Sequence, residues 1–294
     1  MWLGLVKVFI VLGLYGTAVE PRFVQRNDIV AVVPGLPASW NGKQIAVFAD
    51  LQVGMWWANT DAVRKVVRSV DALKPAAVPI AGDFVYNADS TVDDQMRQVV
   101  DLLHPLLDDS MPIYAVLGNH DYSLMNEHSQ KENYVAGHVR RALEAAGVHM
   151  MDNVVEALPS PGTPADTQPL YLAGIGERWA KNDHTLETMA KVPTGAPRLV
   201  FMHDPDDFAD IPAGEAPFAI AAHTHGMQLG IPFVSTYIWR HYFSARGSGL
   251  EGWIDHYGEA GNRLYINRGI GFSIVPARVN AVPELTVVTL TPGG

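Results

Sequence analysis

Apolar residues recur along this chain in short runs set off by polar turn-formers. Residues 44–49, 77–81 and 112–116 are each almost wholly apolar, the pattern of strands buried on both faces. Between them the spacing becomes helical. Val63, Val66, Val67 and Val70 fall on one face of a predicted helix over residues 60–73, with Asn59 or Thr60 as cap and Pro75 beyond its end. Residues 92–107 read as a second helix, and residues 140–146 as a third closed by Gly147. From residue 170 the apolar runs come closer together, at 170–173, 198–202, 218–222, 263–266 and 285–290. Strand–helix alternation argues for an α/β fold with parallel strands. The Pro-rich stretch 159–169 is the best candidate for a subdomain boundary, although neither side of it shows a separate core.

The first nineteen residues break this rhythm. Residues 1–19 are almost uninterruptedly apolar, with Lys7 as the one charge, and a spanning helix needs about 20 such residues. Three readings compete. A signal peptide would use Lys7 as its charged start and be cut after Ala18, where Gly16 and Ala18 make a small-x-small site. An uncleaved anchor would let Lys7 reach the membrane surface. A buried first strand or helix is the third, and it fits less well because no polar alternation interrupts the run. Membrane association is the favoured expectation. Its sidedness stays open, because Lys7 lies inside the segment while Arg22 and Arg26 follow it. Residues 20–43, with Pro21, Pro34, Gly35 and Pro37, read as a linker, and residues 44–294 as the folded domain.

Composition narrows the chemistry. The chain has 294 residues, 48% hydrophobic and 18% charged, which is a globular core and not a disordered tract. A formal net charge of -10 repels a nucleic-acid backbone, and no basic run interleaved with aromatics offsets it. There is no cysteine, so disulfides and thiolate metal sites are excluded and Asp, His and Asn remain as ligands.

Candidate chemistry gathers at the ends of the predicted strands, where open α/β sheets place it. The clusters are Asp50-Leu51-Gln52, Gly82-Asp83, Gly118-Asn119-His120-Asp121, His203-Asp204 and His223-Thr224-His225-Gly226. One such cluster is ordinary turn chemistry, since Asp caps helices and forms turns. Five in order, each behind a buried-strand pattern, are not. Carboxylates, amides and imidazoles at five converging strand ends can hold a cation and move a proton.

The ordered set resembles the calcineurin-like metallophosphoesterase superfamily, whose blocks are D-x-H, G-D, G-N-H-[DE], H and G-H-x-H. The match spans residues 45–290. The tail, with Asn267-Arg268-Gly269-Ile270-Gly271 and Val282-Pro283-Glu284-Leu285, is similar to the bacterial, membrane-associated YkuE-like branch. The resemblance implies a four-layer αββα sandwich with two mixed β-sheets and two divalent cations, of which Mn, Fe, Zn and Mg all suit oxygen and imidazole ligands. One cation would take Asp50, Gln52, the bridging Asp83 and His225; the other would take Asp83, Asn119, His203 and His223. A bridging hydroxide would attack phosphorus in line. His120 would serve the leaving oxygen, and Asp121 is expected to hold the His120 ring.

This chain departs from the pattern in three places. Gln52 stands where the family has His, which predicts a weaker first site tolerant of harder cations. Tyr86 stands where an Asp often orients the catalytic imidazole, and Ala222 replaces the Gly before the paired histidines. The expected activity is hydrolysis of a phosphodiester, phosphomonoester or pyrophosphate, the substrate being a phospholipid or lipid-linked pyrophosphate if the apolar start marks a bacterial inner-membrane enzyme. The competing expectation is a non-catalytic scaffold whose first site was degraded through Gln52, and the retained Asp83, Asn119, His120 and later histidines argue against it. Trp56-Trp57 would wall a cleft, enter lipid or pack under a loop. Residues 237–243 would dock at a membrane or, more simply, form an interior strand, and Arg268 would touch phosphate or lie exposed in a turn.

Overall fold

The alternation hidden in residues 44–49 is what stacks the molecule. Ile45, Val47 and Ala49 pack with one set of neighbours and Ala46 and Phe48 with another, and every one of them is buried. A strand covered on both faces needs a layer on each side. The computed structural model, which describes residue 7 and residues 10–109, 111–162 and 168–293, supplies both.

The elements in order are β1 (Gln25–Val33), β2 (Gln44–Val47), α1 (Thr60–Leu73), β3 (Val78–Ala81), α2 (Val92–Asp108), β4 (Ile113–Val116), α3 (Asn133–Ala145), β5 (His149–Met150), β6 (Val154–Leu158) and β7 (Leu170–Gly174). There follow α4 (Thr185–Met189), β8 (Arg198–Phe201), β9 (Ala219–Ala221), α5 (Val234–Ile238), β10 (Gly252–Ile254), β11 (Leu264–Ile266) and β12 (Glu284–Pro292). Strands β1-β12-β2 form one ladder and β3-β4-β5 another. Parallel bridges Ile45–Ala77 and Phe48–Ile80 join them edge to edge. The second sheet runs β10-β11-β9-β8-β7-β6, parallel in its middle and antiparallel at both ends.

Helices α1, α2 and α3 cover the outer face of the first sheet, setting Val66, Val70, Leu103 and Leu143 against Phe48, Ile80 and Ala115. Ile45, Val47, Tyr114 and Val116 meet Leu172, Leu199, Phe201 and Ile220 between the sheets. Beyond the second sheet, Met189, Phe208 and Ile211 pack on Ala173, Val200 and Ile266. The result is the expected four-layer α/β sandwich with two mixed sheets. Each such Val, Leu, Ile or Phe contributes roughly 1.5–3 kcal/mol by leaving water, so the layers hold the polar strand ends in place.

Four readings of the sequence need correction. Residues 25–33, expected within a linker, form β1 and pair in parallel with β12 over their whole length; the flanking prolines disguise an edge strand. The stretch 159–169, of which residues 163–167 lie outside the described residues, divides no domains, because β6 and β7 on either side of it are antiparallel neighbours. Residues 237–243 are not an interior strand: α5 runs on into a wide helical turn, Trp239–Phe243, with Tyr237, Tyr242 and Phe243 exposed. Helix α3 begins at Asn133, a full two turns before residue 140, because Val135, Ala136 and Val139 extend its buried face.

The expected signal or anchor lies partly outside the described residues. Residues 10–14 are helical, followed by wider and tighter turns at Tyr15–Val19 and Glu20–Arg22. Ile10, Val11, Leu12 and Leu14 are exposed. This segment docks on the loop before β12. The Arg278 N–H donates to the Gly16 carbonyl (2.8 Å), and the N–H groups of Asn280 and Ala281 donate to the Glu20 carboxylate (2.9 and 2.7 Å). Among the described residues no helix is long and apolar enough to cross a membrane.

Candidate metal centre

All seven candidate ligands stand just past the carboxyl ends of β2, β3, β4, β8 and β9, where both sheets open onto one crevice. The backbone turns sharply there. Asp50, Gln52, Asp83, His223 and His225 have φ values of 55°, 51°, 58°, 72° and 51°. That left-handed conformation costs roughly 1–2 kcal/mol per non-glycine residue, and the loops are tied to offset it. The N–H of Asp50 donates to the Gly82 carbonyl (2.9 Å), and that of Gln52 to the Asp83 carbonyl (3.0 Å). Two glycines are required for lack of room. A Cβ on Gly118 would sit 2.2 Å from Asp83 Oδ1, and one on Gly269 would sit 2.0 Å from Asp50 Oδ2.

One half of the centre is a convergence of acceptors. His203 donates Nδ1–H to the Ala81 carbonyl (2.7 Å), which turns Nε2 inward. Asn119 donates its amide N–H to the Leu124 carbonyl (2.7 Å), so Oδ1 also faces inward. His203 Nε2 lies 3.0 Å from Asn119 Oδ1, 3.2 Å from His223 Nδ1 and 3.4 Å from Asp83 Oδ2. Ligands bound at about 2.1 Å around one cation are spaced at about 3 Å, so these four atoms suit a divalent ion. Burial opposes a charge on His203, but Asp83 beside it holds the ring well above its ordinary value. Burial and then His203 push His223 down to about 3, leaving its ring neutral.

The other half is built differently. Asp50 is fully buried and among the described residues neither carboxylate oxygen has a hydrogen-bond partner; burial pushes its carboxyl up to about 7. Ligand atoms of Asp50, Asp83 and His225 lie within 4.8 Å of one another, as a cation site requires. Gln52 reaches this cluster with its nitrogen: Nε2 donates to Asp83 Oδ2 (2.7 Å) and lies 3.5 Å from His225 Nε2, while Oε1 is buried without a partner. Ligation through Oε1 needs a half-turn of the amide. Burial and then Arg278 hold His225 well below its ordinary value.

His120 and Asp121 separate. The His120 ring bonds through Nδ1 to Asn87 Oδ1 (2.8 Å) and lies against Tyr86, with ring centroids 4.8 Å apart. Its Nε2 faces the crevice, 3.3 Å from Ser273 Oγ. Asp121 does not touch that ring. Its carboxylate accepts the backbone N–H groups of Asp83 (3.0 Å), Phe84 (2.9 Å), Val85 (3.1 Å) and Gly118 (2.9 Å), clasping two ligand loops together. The expected partnership fails because the tight turn aims the two side chains apart. Burial and neighbouring Asp83 push the Asp121 carboxyl up to about 8, against those four donors. Burial lowers His120.

Above this floor opens a pocket of about 260 Å³ walled by Met125, Trp179, Met227, Leu229, Trp239, Phe243, Ile274 and Val275, with Asn119, His120, His223 and His225 at its base. Trp179 sets its edge against His223, with centroids 4.7 Å apart. Trp56 and Trp57 are not among the lining residues and are exposed. Arg268 is neither free nor aimed at substrate: it pairs with Glu284 (2.9 Å) and Glu251 (3.4 Å). Sequence reasoning missed Asn87, Ser273, Trp179 and Arg278. Only Asn87 carried a signal, as the polar residue beside the unexpected Tyr86.

A crevice lined by acidic, amide and imidazole donors at the strand ends of a two-sheet sandwich defines a metal-dependent phosphoesterase. The chain belongs to the calcineurin-like phosphoesterase family, whose model matches residues 43–227. Among curated relatives it is similar to the uncharacterized metallophosphoesterase YkuE of Bacillus subtilis, 24% identical over 280 residues, covering 95% of this chain and 90% of that one. It is also similar to the phosphodiesterase YaeI of Escherichia coli, 27% identical over 221 residues, covering 74% and 71%. A dimetal phosphatase from Danio rerio aligns with a TM-score of 0.45 at 12% identity, covering 85% of this chain and 93% of that one.

Proposed function

We propose that the chain hydrolyses a phosphoester carrying an apolar group, presented at a membrane surface, and that it uses two divalent cations. The observation that carries this reading is the apolar pocket standing directly on the donor cluster. A wall of Met, Trp, Leu, Phe, Ile and Val complements an apolar substituent on the phosphoester, with the polar groups at its base left for the phosphate. The pocket's rim continues outward: Leu229, Ile231, Phe233, Tyr242, Phe243 and Ile274 are all exposed, Phe233 at 91%. The docked segment around Gly16 adds Ile10, Val11, Leu12 and Leu14. Aromatic and aliphatic side chains beside Arg240 suit the headgroup boundary of a bilayer.

Asp50, Gln52, Asp83 and His225 would hold one cation, and Asp83, Asn119, His203 and His223 the other. When bound, such a pair polarises a phosphoryl oxygen and activates a water at neutral pH. The chain's residues do the rest. Asn87 keeps the His120 ring aimed, so that Nε2 faces the departing oxygen and can protonate it or stabilise its charge. The apolar walls exclude bulk water from the reacting phosphate.

The test compares a soluble aryl phosphodiester with a phospholipid in anionic vesicles, both with Mn²⁺. Turnover of both, with the vesicle substrate preferred and Phe233→Glu lowering that preference while sparing the soluble reaction, is expected. No turnover of either across several metals by folded protein would sink the reading; equal handling of both, unaffected by Phe233→Glu, would remove its membrane part.

A further inference from the structure

We propose that the two halves of the centre fill in sequence, and that Arg278 is the residue that makes the Asp50–Gln52–His225 half the weaker, exchangeable one. The inference rests on reading the centre as a metal site and concerns the order and strength of loading.

Arg278 is fully buried, and its guanidinium donates to main-chain carbonyl oxygens. Nε donates to the Gly271 carbonyl (3.0 Å), Nη1 to the carbonyls of Ala281 (2.8 Å) and His225 (3.4 Å), and Nη2 to those of Gly271 (2.7 Å) and Arg268 (3.0 Å). Nη2 also lies 3.3 Å from His225 Nδ1. The side facing away from the crevice is thus occupied by a guanidinium, where a metal-binding imidazole ordinarily donates an N–H to a carbonyl or carboxylate. Two physical consequences follow. An imidazole whose Nδ1 accepts from a guanidinium is neutral only with its proton on Nε2, the atom that faces Asp50, so binding a cation there must break that arrangement. A guanidinium also cannot shed its charge when a dication arrives, so repulsion persists at that half.

Gln52 acts in the same direction. It presents amide hydrogens to Asp83 where an imidazole lone pair would stand, and an amide oxygen is the poorer donor once turned. The other half is arranged differently: His203 donates Nδ1–H to the Ala81 carbonyl and Asn119 donates its amide N–H to the Leu124 carbonyl, so Nε2 and Oδ1 are turned inward. Arg278 is also fixed in place: its own N–H is tied to Gly16, and the loop beyond it to Glu20.

The experiment titrates the metal-free full-length chain with Mn²⁺, reading free Mn²⁺ by electron paramagnetic resonance and heat by calorimetry. One Mn²⁺ is expected to bind tightly and a second about ten- to hundredfold more weakly, the range for a changed partner behind a ligand. Gln52→His and, if its melting profile shows it folded, Arg278→Gln should each draw the second phase toward the first and leave the first unmoved. His203→Asn should abolish the tight phase. Two equal sites in the unsubstituted chain would overturn the proposal, as would a second phase that Gln52→His or the folded Arg278→Gln leaves in place. Absence of any binding would instead overturn the metal reading on which it stands.

Discussion

The two halves of this centre share Asp83 and little else in their surroundings. Around His203 the chain has arranged ligand atoms at cation-ligand spacing, with two of them fixed by a hydrogen bond on the far side: Ala81 for His203 and Leu124 for Asn119. Around His225 it has arranged an unpartnered carboxylate, an amide presenting its nitrogen, and a buried guanidinium. The difference teaches that ligand identity is half of a metal site and the groups behind the ligands are the other half. Both halves contain His and Asp, yet only one has its inward atoms fixed from behind at ligand spacing.

The largest expected effect breaks this comparison directly. His203→Ala should lower turnover of an aryl phosphodiester by about a hundred- to a thousandfold, as expected when an electrostatic anchor of the reacting phosphate is lost. His225→Ala should cost far less at millimolar Mn²⁺, where the weak half is driven to fill. Steady-state rates across Mn²⁺ concentration measure both. Equal losses that no concentration of Mn²⁺ relieves would erase the distinction between the halves.

A second, smaller effect separates the two neighbours His120 and Asp121. Asn87→Ala frees the imidazole from its Nδ1 partner and should reduce kcat about ten- to a hundredfold with little change in melting temperature, a fraction of what a general acid supplies. Asp121→Asn should do the reverse to the fold. It sets an NH₂ group against backbone N–H donors and should destabilise by about 2–4 kcal/mol in urea unfolding. A normal kcat in Asn87→Ala would return the orienting role to another group.

That reassignment shows what the sequence could and could not convey. The five strand-end clusters were legible because each follows an apolar run, and α1 was legible to the residue because four valines repeat at helical spacing. Asp121 was legible as a site residue but not in its role, since one turn aims His120 at the crevice and Asp121 at loop amides, and nothing local announces the split. Strand β1 was hidden because its pairing partner, β12, lies at the far end of the chain. Arg278 was hidden for the same reason: a lone Arg among apolar residues acquires its meaning from carbonyls at Gly271, Arg268, Ala281 and His225, which the fold alone assembles.

The smallest effect concerns what stands behind the tighter half. Glu177 is fully buried; Oε1 accepts the Trp179 N–H (3.0 Å) and Oε2 has no partner among the described residues. Burial raises its carboxyl well above 4.5, with the charge of His203 acting the other way. A carboxyl raised in the folded state holds its proton where the unfolded chain has lost it. Its stabilising contribution is therefore fully present below 4.5 and is lost as pH rises through the folded value. Glu177→Gln has no proton to lose at that position, so the variant should gain stability relative to the parent as pH rises. The gain should reach about 1–3 kcal/mol, the usual cost of a buried group without a partner. Urea midpoints measured from pH 5 to pH 9 read the difference, while turnover with Mn²⁺ should stay within a few-fold of the parent. A variant less stable than the parent at high pH would mean that Glu177 is ionised in the folded protein. The tight half would then be held against His203 by a standing negative charge, making its contrast with the Arg278 side sharper still.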